Sequence, residues 1–323
     1  MFLADIFGYV LNFLYNSLGS YGIAIIVFSI MLRIILLPLT INQQKSMKKS
    51  GKLQVEMQEI QRKYKNNPEK LNQETMELYK REKMSPFSGC FSSIIQIFII
   101  LSVFWLVSSP LTHMRNVQDT DIYKEYAEKV SQNSNQKASY KEIAMINLVE
   151  ADYQEINNKL KDEENNTEIE KNEENTDEVE NTEDTENNEN KKEDLENKKE
   201  ELEKLRINMD FLGLDLSKVP TQSLNDFRVY IIPVLYVISS FISIKLTTNM
   251  QSKKNNGTDK KEPSEMEAMQ NMSKGMTYMM PIMSVSIAIV APLGLALYWL
   301  ISNVLMILER IILKKIFDAK EEE

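Results

Sequence analysis

One charge, Arg33, interrupts an apolar run from Tyr21 to Leu39 that is otherwise long enough to cross a bilayer. A guanidinium keeps its proton in any protein environment, and placing one near the middle of a spanning helix costs roughly 2.5–3.5 kcal/mol on insertion scales. Such a side chain faces protein, water or a partner charge rather than lipid, which makes Arg33 the predicted functional centre. The competing reading has Arg33 snorkel to the nearer surface, only about eight residues or roughly 12 Å of helix away.

A net charge of -9 and a mean hydropathy of -0.33 describe an acidic soluble chain only on average. Between Pro110 and Arg228 stand about 31 acidic and 16 basic side chains, so the remainder of the chain is basic by roughly +6. Apolar and charged territory alternates on the scale expected of a membrane protein with one large polar loop. Five apolar runs are drawn at 20–41, 87–109, 229–248, 276–291 and 293–313, the fourth short and ending in a turn at Pro292-Leu293-Gly294. The predicted fold class is therefore an all-α membrane protein, a five-helix transmembrane bundle with a helical hairpin on one side.

Orientation follows from the Lys and Arg of the short loops. Residues 42–86 are predominantly basic, the 249–275 loop holds Lys253, Lys254, Lys260, Lys261 and Lys274, and Arg310, Lys314 and Lys315 cluster near the end. These three segments and the 314–323 tail are predicted to be cytoplasmic, with the acidic 110–228 loop and the N-terminus outside. No cleavable signal is expected, because the leader lacks a basic region and a small-residue cleavage site; the first span would do the targeting. Cys90 is the single cysteine, which excludes an intrachain disulfide and reads as a small buried apolar residue.

Residues 1–19 carry Phe2, Leu3, Ile6, Phe7, Val10, Phe13, Leu14 and Leu18 at helical spacing, predicting an interfacial helix. In the basic segment, Leu53, Met57, Ile60 and Tyr64 precede Asn67-Pro68, an N-cap followed by a proline at the first helical position, and so mark a helical hairpin. Residues 151–205 are rich in Glu, Asn, Asp, Lys and Thr, and much of that segment is predicted to be disordered. Its later part, with Leu195, Leu202 and Leu205, has helical spacing, and Phe211 to Leu216 could dock on the outer membrane face.

One histidine, one cysteine and no cluster of acids in the spans argue against metal catalysis and a Cys/His nucleophile. Gly-rich phosphate loops are absent as well. What remains is a polar subset of span residues: Ser29 and Arg33, Ser92, Ser93 and Gln96, Ser239, Ser240 and Ser243, and Ser302 and Asn303. If these faces converge they line a wet cavity that Arg33 makes positive. Met266 to Met283 recur at helical spacing, which suits either ordinary packing or a surface that accepts varied apolar segments. Trp105 reads as an interface anchor, and Trp299 lies deeper in its span.

Three stretches together carry a specific resemblance: Tyr21-Gly22-Ile23-Ala24-Ile25-Ile26 through Arg33 to Leu37-Pro38-Leu39-Thr40, Pro86-Phe87-Ser88-Gly89-Cys90 through Gln96, and Pro292-Leu293-Gly294-Leu295-Ala296-Leu297-Tyr298-Trp299 with Ser302-Asn303. In them the chain resembles the YidC/Oxa/Alb family of membrane protein insertases over roughly 1–113 and 207–316, most like the Gram-positive type. The resemblance implies five core helices around a hydrophilic groove, with the family's arginine at Arg33, a small hydroxyl position at Ser29 and groove positions at Gln96 and Trp299. It also implies that Ile97, Ile100, Met280 and Met283 lie along the path by which a client helix leaves for lipid.

Implied partners are nascent membrane proteins and membrane lipid, with the ribosome, the signal recognition particle pathway and the Sec translocon as further candidates and no specific nucleic acid sequence. The implied location is the bacterial cell membrane, and the implied activity is insertion without a catalytic residue, cofactor or metal. Two features depart from the pattern: there is no lipoprotein cysteine, and the chain ends in Asp318-Ala319-Lys320-Glu321-Glu322-Glu323 rather than a long basic tail. Two rivals stay open, a small-solute channel or transporter with Arg33 as an anion site, and a receptor or scaffold that uses the acidic loop.

Overall fold

The computed structural model describes residues 2–82, 88–132, 140–173, 182–252 and 286–322. Nine helices can be followed among them: α1 (Phe2–Leu18), α2 (Tyr21–Lys63), α3 (Pro68–Arg81), α4 (Ser88–Ser108), α5 (Asp121–Gln132), α6 (Lys141–Glu173), α7 (Thr182–Leu205), α8 (Ile231–Ser252) and α9 (Leu293–Glu322). A two-stranded ribbon, β1 (Asp210–Phe211) and β2 (Leu214–Asp215), is the only sheet among the described residues. Three segments are long and apolar enough to cross a membrane, Tyr21–Lys45, Phe227–Leu246 and Leu293–Ile316, with a shorter apolar helix at Ile95–Ser108. The protein is thus an all-α membrane protein. Of the predicted fourth span, 286–291 are described, with 286–290 helical; 276–285 lie outside the described residues.

The chain divides into two compact units. In the unit formed by 26–102, 223–291 and 296–323, apolar side chains such as Ile34, Ile35, Ile238, Phe241, Ile242 and Ile312 stand exposed on the spanning segments, the surface a bilayer would cover. Helix α2 does not stop at the end of its apolar run but continues as one 43-residue helix with Pro38 inside it. Proline removes the backbone donor to the Ile34 carbonyl, a defect that membrane helices tolerate; separately, Thr40 Oγ1 donates to the Leu36 carbonyl at 3.1 Å. The extension folds back through α3: Asn67 accepts from Lys70 N at 3.1 Å with Pro68 in the first turn, as the Asn67-Pro68 pair predicts. Leu53 and Leu78 are buried, Tyr64 donates to Glu74 at 3.2 Å, and Arg81 pairs with Glu56.

The second unit, 1–25, 103–222 and 292–295, is built on close backbone approach and buried polar groups. The inner face of α1, Ala4, Gly8, Leu11 and Leu14, packs against a π-helical turn at Leu111–Arg115. Asp5 Oδ1 and His113 Nδ1 are 2.6 Å apart, and this hydrogen bond holds the Asp5 carboxyl below its usual range. Arg115 donates to the Arg206 carbonyl at 2.8 Å and lies over the Tyr15 ring. The buried Glu142 carboxylate receives Leu111 N at 2.7 Å, Thr112 N at 3.0 Å, Thr112 Oγ1 at 2.5 Å and the Tyr123 hydroxyl at 3.1 Å. It thereby satisfies the free donors at the start of the π turn.

The largest difference from the sequence reading lies in the acidic 110–228 loop, where much of 151–205 is predicted to be disordered. Helices α5, α6 and α7 pack there, burying Tyr126, Val130, Ile143, Ile146, Val149, Tyr153, Ile156, Leu202 and Leu205. The acidic average concealed a stripe: residues 143, 146, 149, 153, 156 and 160 are apolar or aromatic at steps of three and four, which is one helix face. Arg206 forks onto Glu150 at 2.7 and 3.1 Å and stacks on the Tyr153 ring at 4.1 Å.

These contacts set a pH window. Burial pushes the Glu150 carboxyl up, but hydrogen bonds from Arg206 and Gln154 outweigh it and leave it lowered; that stability is lost as pH falls through the lowered value. Burial, then the hydrogen bond to Asp152, raises the Tyr126 hydroxyl above its ordinary 10.0, so that contribution is complete below pH 10.0 and is lost as pH rises further. Hydrogen exchange of α6 amides should be flat between about pH 5 and 9 once intrinsic rates are removed, and protection should fall on both sides. Arg206→Gln should weaken the acid limb and Tyr126→Phe the alkaline one; limbs unchanged by these substitutions would refute the assignment.

The segment after α7 packs on the starts of α2 and α9. Leu212 and Gly213, at φ of 54° and 74°, make the two-residue turn between Phe211 and Leu214, and the Phe211 ring lies against Gly22. The carbonyls of Lys218 and Leu216 accept from Leu293 N and Gly294 N, each at 2.9 Å, capping the first turn of α9.

Candidate functional site

Three helices of the 26–102, 223–291 and 296–323 unit bring polar groups into otherwise apolar segments. On α8, Ser239, Ser240 and Ser243 are buried on one face, because residues three and four apart share a helix side. On α9, Asn303 and Arg310 stand seven residues apart, two turns along the face that meets them. Asn303 Nδ2 donates to Ser239 Oγ at 2.9 Å and to Ser240 Oγ at 3.2 Å, Ser239 Oγ donates to the Tyr236 carbonyl at 2.8 Å, and Arg310 Nη1 donates to Ser243 Oγ at 3.3 Å. Small hydroxyl residues allow close approach, and the hydrogen bonds replace water that a bilayer cannot supply. Tyr236 and Trp299 add an aromatic contact with ring centroids 6.1 Å apart.

Helix α2 contributes Arg33 and, one turn earlier, Ser29, which is buried. Arg33 Nε lies 2.6 Å from Glu309 Oε2 on α9, with side-chain exposures of 18% and 7%. The pair is a contact of charges without hydrogen-bond alignment, since neither Glu309 oxygen accepts a hydrogen bond among the described residues. Arg33, Glu309 and Arg310 together carry one net positive charge. The guanidinium is thus neither turned to the surface nor a bare cation: it is half-buried against an acid.

Of the other predicted positions, Trp299 joins the seam between α8 and α9, Ile100 is half-buried, and Gln96 and Ile97 stand exposed on α4. Met280 and Met283 lie outside the described residues. Sequence reasoning gave Glu309 no role and placed Arg310 with the charges at the chain's end. The signal was present, the adjacent charges Glu309 and Arg310 inside the apolar run that ends α9's membrane-length segment, between Leu308 and Ile311. Among the described residues no group of His, Cys, Asp and Glu could hold a metal ion.

A profile of the family described as 60Kd inner membrane protein matches residues 13–136 and 196–321. "Membrane protein insertase YidC" of Caldanaerobacter subterraneus subsp. tengcongensis is 40% identical over 105 residues, covering 32% of this chain and 51% of the relative. Its namesake in Fusobacterium nucleatum subsp. nucleatum is 41% identical over 107 residues, 33% of this chain and 52% of the relative. The protein of that name in Buchnera aphidicola subsp. Baizongia pistaciae is 43% identical over 99 residues, 31% and 18% respectively. The aligned region therefore spans about half the length of the first two relatives and less than a fifth of the third. Because the family profile runs through both ends of the chain, including α2 with Arg33 and α9 with Glu309, the chain belongs to the YidC/Oxa1 family of membrane protein insertases.

Proposed function

We propose that this chain is a membrane protein insertase that draws a short hydrophilic, acidic segment of a nascent membrane protein partway into the bilayer at Arg33, and releases the adjoining apolar helix to lipid. The observation that carries this reading is a half-buried guanidinium held inside an apolar helix, 2.6 Å from an acid of α9, in a unit whose α8 and α9 also bury serine and asparagine groups. A charge in such surroundings is weakly screened and attracts carboxylates more strongly than one in water. Shortening the polar segment's path through hydrocarbon lowers the barrier, and burial of the client's apolar helix in lipid drives the step. No covalent chemistry is required.

Gln96, Trp299, Ile97, Ile100, Met280 and Met283 would border the client's route, with the α2–α3 hairpin and the basic loop at 249–275 on the cytoplasmic side. Nascent chains and lipid are the proposed partners, and the ribosome, targeting pathway and Sec translocon could feed the same site. In proteoliposomes of the full chain, Arg33→Gln is expected to lower insertion of a client with an acidic translocated tail about tenfold, equivalent to ~1.4 kcal/mol of lost attraction. Unchanged insertion would overturn the role of Arg33, and ion flux without any client would favour a channel instead.

A further inference from the structure

Glu309 is the residue that no resemblance places and no mechanism above uses. Its side chain is 7% exposed, its Oε2 lies 2.6 Å from Arg33 Nε, and neither of its oxygens accepts a hydrogen bond among the described residues. A guanidinium offers two parallel N–H groups to a carboxylate, and such forked, aligned bonds are the strong ones. The internal acid therefore holds Arg33 by proximity and charge while leaving the better geometry unused.

We infer that Glu309 is a specificity-determining residue: an internal competitor for Arg33 that sets how many carboxylates a client segment must carry before it can take the arginine. This rests on the reading of Arg33 as the client's charge contact. A client with one carboxylate exchanges one ion pair for another while leaving Glu309 buried without its partner, and a buried charge stripped of its partner is costly. A second or third carboxylate adds attraction to the cluster of Arg33 and Arg310 and tips the exchange toward the client. A neutral tail gains nothing by displacing Glu309, and a basic tail meets a cluster with only one net positive charge. The site thus discriminates by charge number through an opposing group, a common device of specific recognition.

The test uses the full chain in proteoliposomes and single-span clients whose translocated tails carry no, one, two or three aspartates, with insertion read by protease protection. With the unaltered protein, insertion should climb mainly between one and three aspartates. Glu309→Gln should move the climb to the first aspartate, raising insertion of the one-aspartate client about fivefold or more, the low end of typical coupling free energies between interacting groups, with little change for three. Glu309→Asp, which draws the acid back by one methylene, should fall between the two and serves if the glutamine variant fails to accumulate. Arg33→Gln combined with Glu309→Gln should be insensitive to tail charge. If the Glu309 variants track the unaltered protein at every tail while Arg33→Gln flattens the series, this inference is overturned and the insertase reading stands. If Arg33→Gln retains the full charge series, the reading of Arg33 itself fails.

Discussion

Arg33→Leu is expected to destabilise the folded protein by about 3–5 kcal/mol, and Arg33→Leu with Glu309→Leu to regain most of that loss. The asymmetry follows from burial. Removing the arginine leaves a carboxylate that is 7% exposed, in an apolar segment, stripped of its contact partner and left with only the more distant attraction of Arg310. Replacing both members leaves leucines where neighbouring side chains are already apolar, and well-packed apolar replacements of buried ion pairs are often neutral or stabilising. Denaturation in detergent, followed by the near-ultraviolet signal of Trp299 against Tyr236, would give the four corners of the cycle. A coupling of at least about 2 kcal/mol is expected for groups in direct contact. Simple additivity would mean that the pair does not form in the folded protein. Both variants should still lose response to client charge, so this measurement separates the structural work of the pair from its proposed role.

Among the described residues, Gly8→Ala should be the most damaging glycine-to-alanine change. A Cβ at Gly8 would fall 1.8 Å from the His113 carbonyl oxygen and 2.5 Å from its carbon. Both are backbone atoms within the π-helical turn, whose donors are fixed by the buried Glu142, so no side chain can rotate out of the way. Helix α1 must lift, exposing Ala4, Leu11 and Leu14 and stretching the Asp5 to His113 contact. The expected cost is about 3 kcal/mol or more, the upper range for overpacking. Gly22→Ala meets the Phe211 ring at 2.3 Å and its Cβ at 2.7 Å; rotation clears the ring but not Cβ, so the short β1–β2 ribbon must also shift, at a smaller cost of about 1–3 kcal/mol because no helix has to lift. At Gly294 the nearest atoms are 3.5 Å away, so alanine there should be tolerated. Thermal melts of the three variants test the order Gly8, Gly22, Gly294; a different order would mean that α1 does not sit on the turn as described.

How much of this was legible beforehand differs by element. Apolar run length read correctly for α2, α8 and α9, because a spanning helix must satisfy its backbone internally and needs about twenty apolar residues to do so. The cap at Asn67 and Pro68 read correctly because it is a local device. In the acidic segment composition misled: counting residue types ignores their spacing, and the stripe from Ile143 to Leu160 is invisible in an average.

The chain's order of residues by itself determined that Arg33 could not face lipid, that the protein lives in a membrane, and that Ser29 shares the arginine's face, since each follows from one helix and the energy of a charge in hydrocarbon. Only the tertiary structure decided what the arginine faces. Glu309 is 276 positions away in the chain, and nothing local to either residue encodes their meeting. The same holds for the carbonyls of Leu216 and Lys218 at the start of α9 and for His113 against Gly8. Periodicity reports which side of a helix a residue occupies, whereas the partner on that side depends on how helices pack, a property of the whole chain.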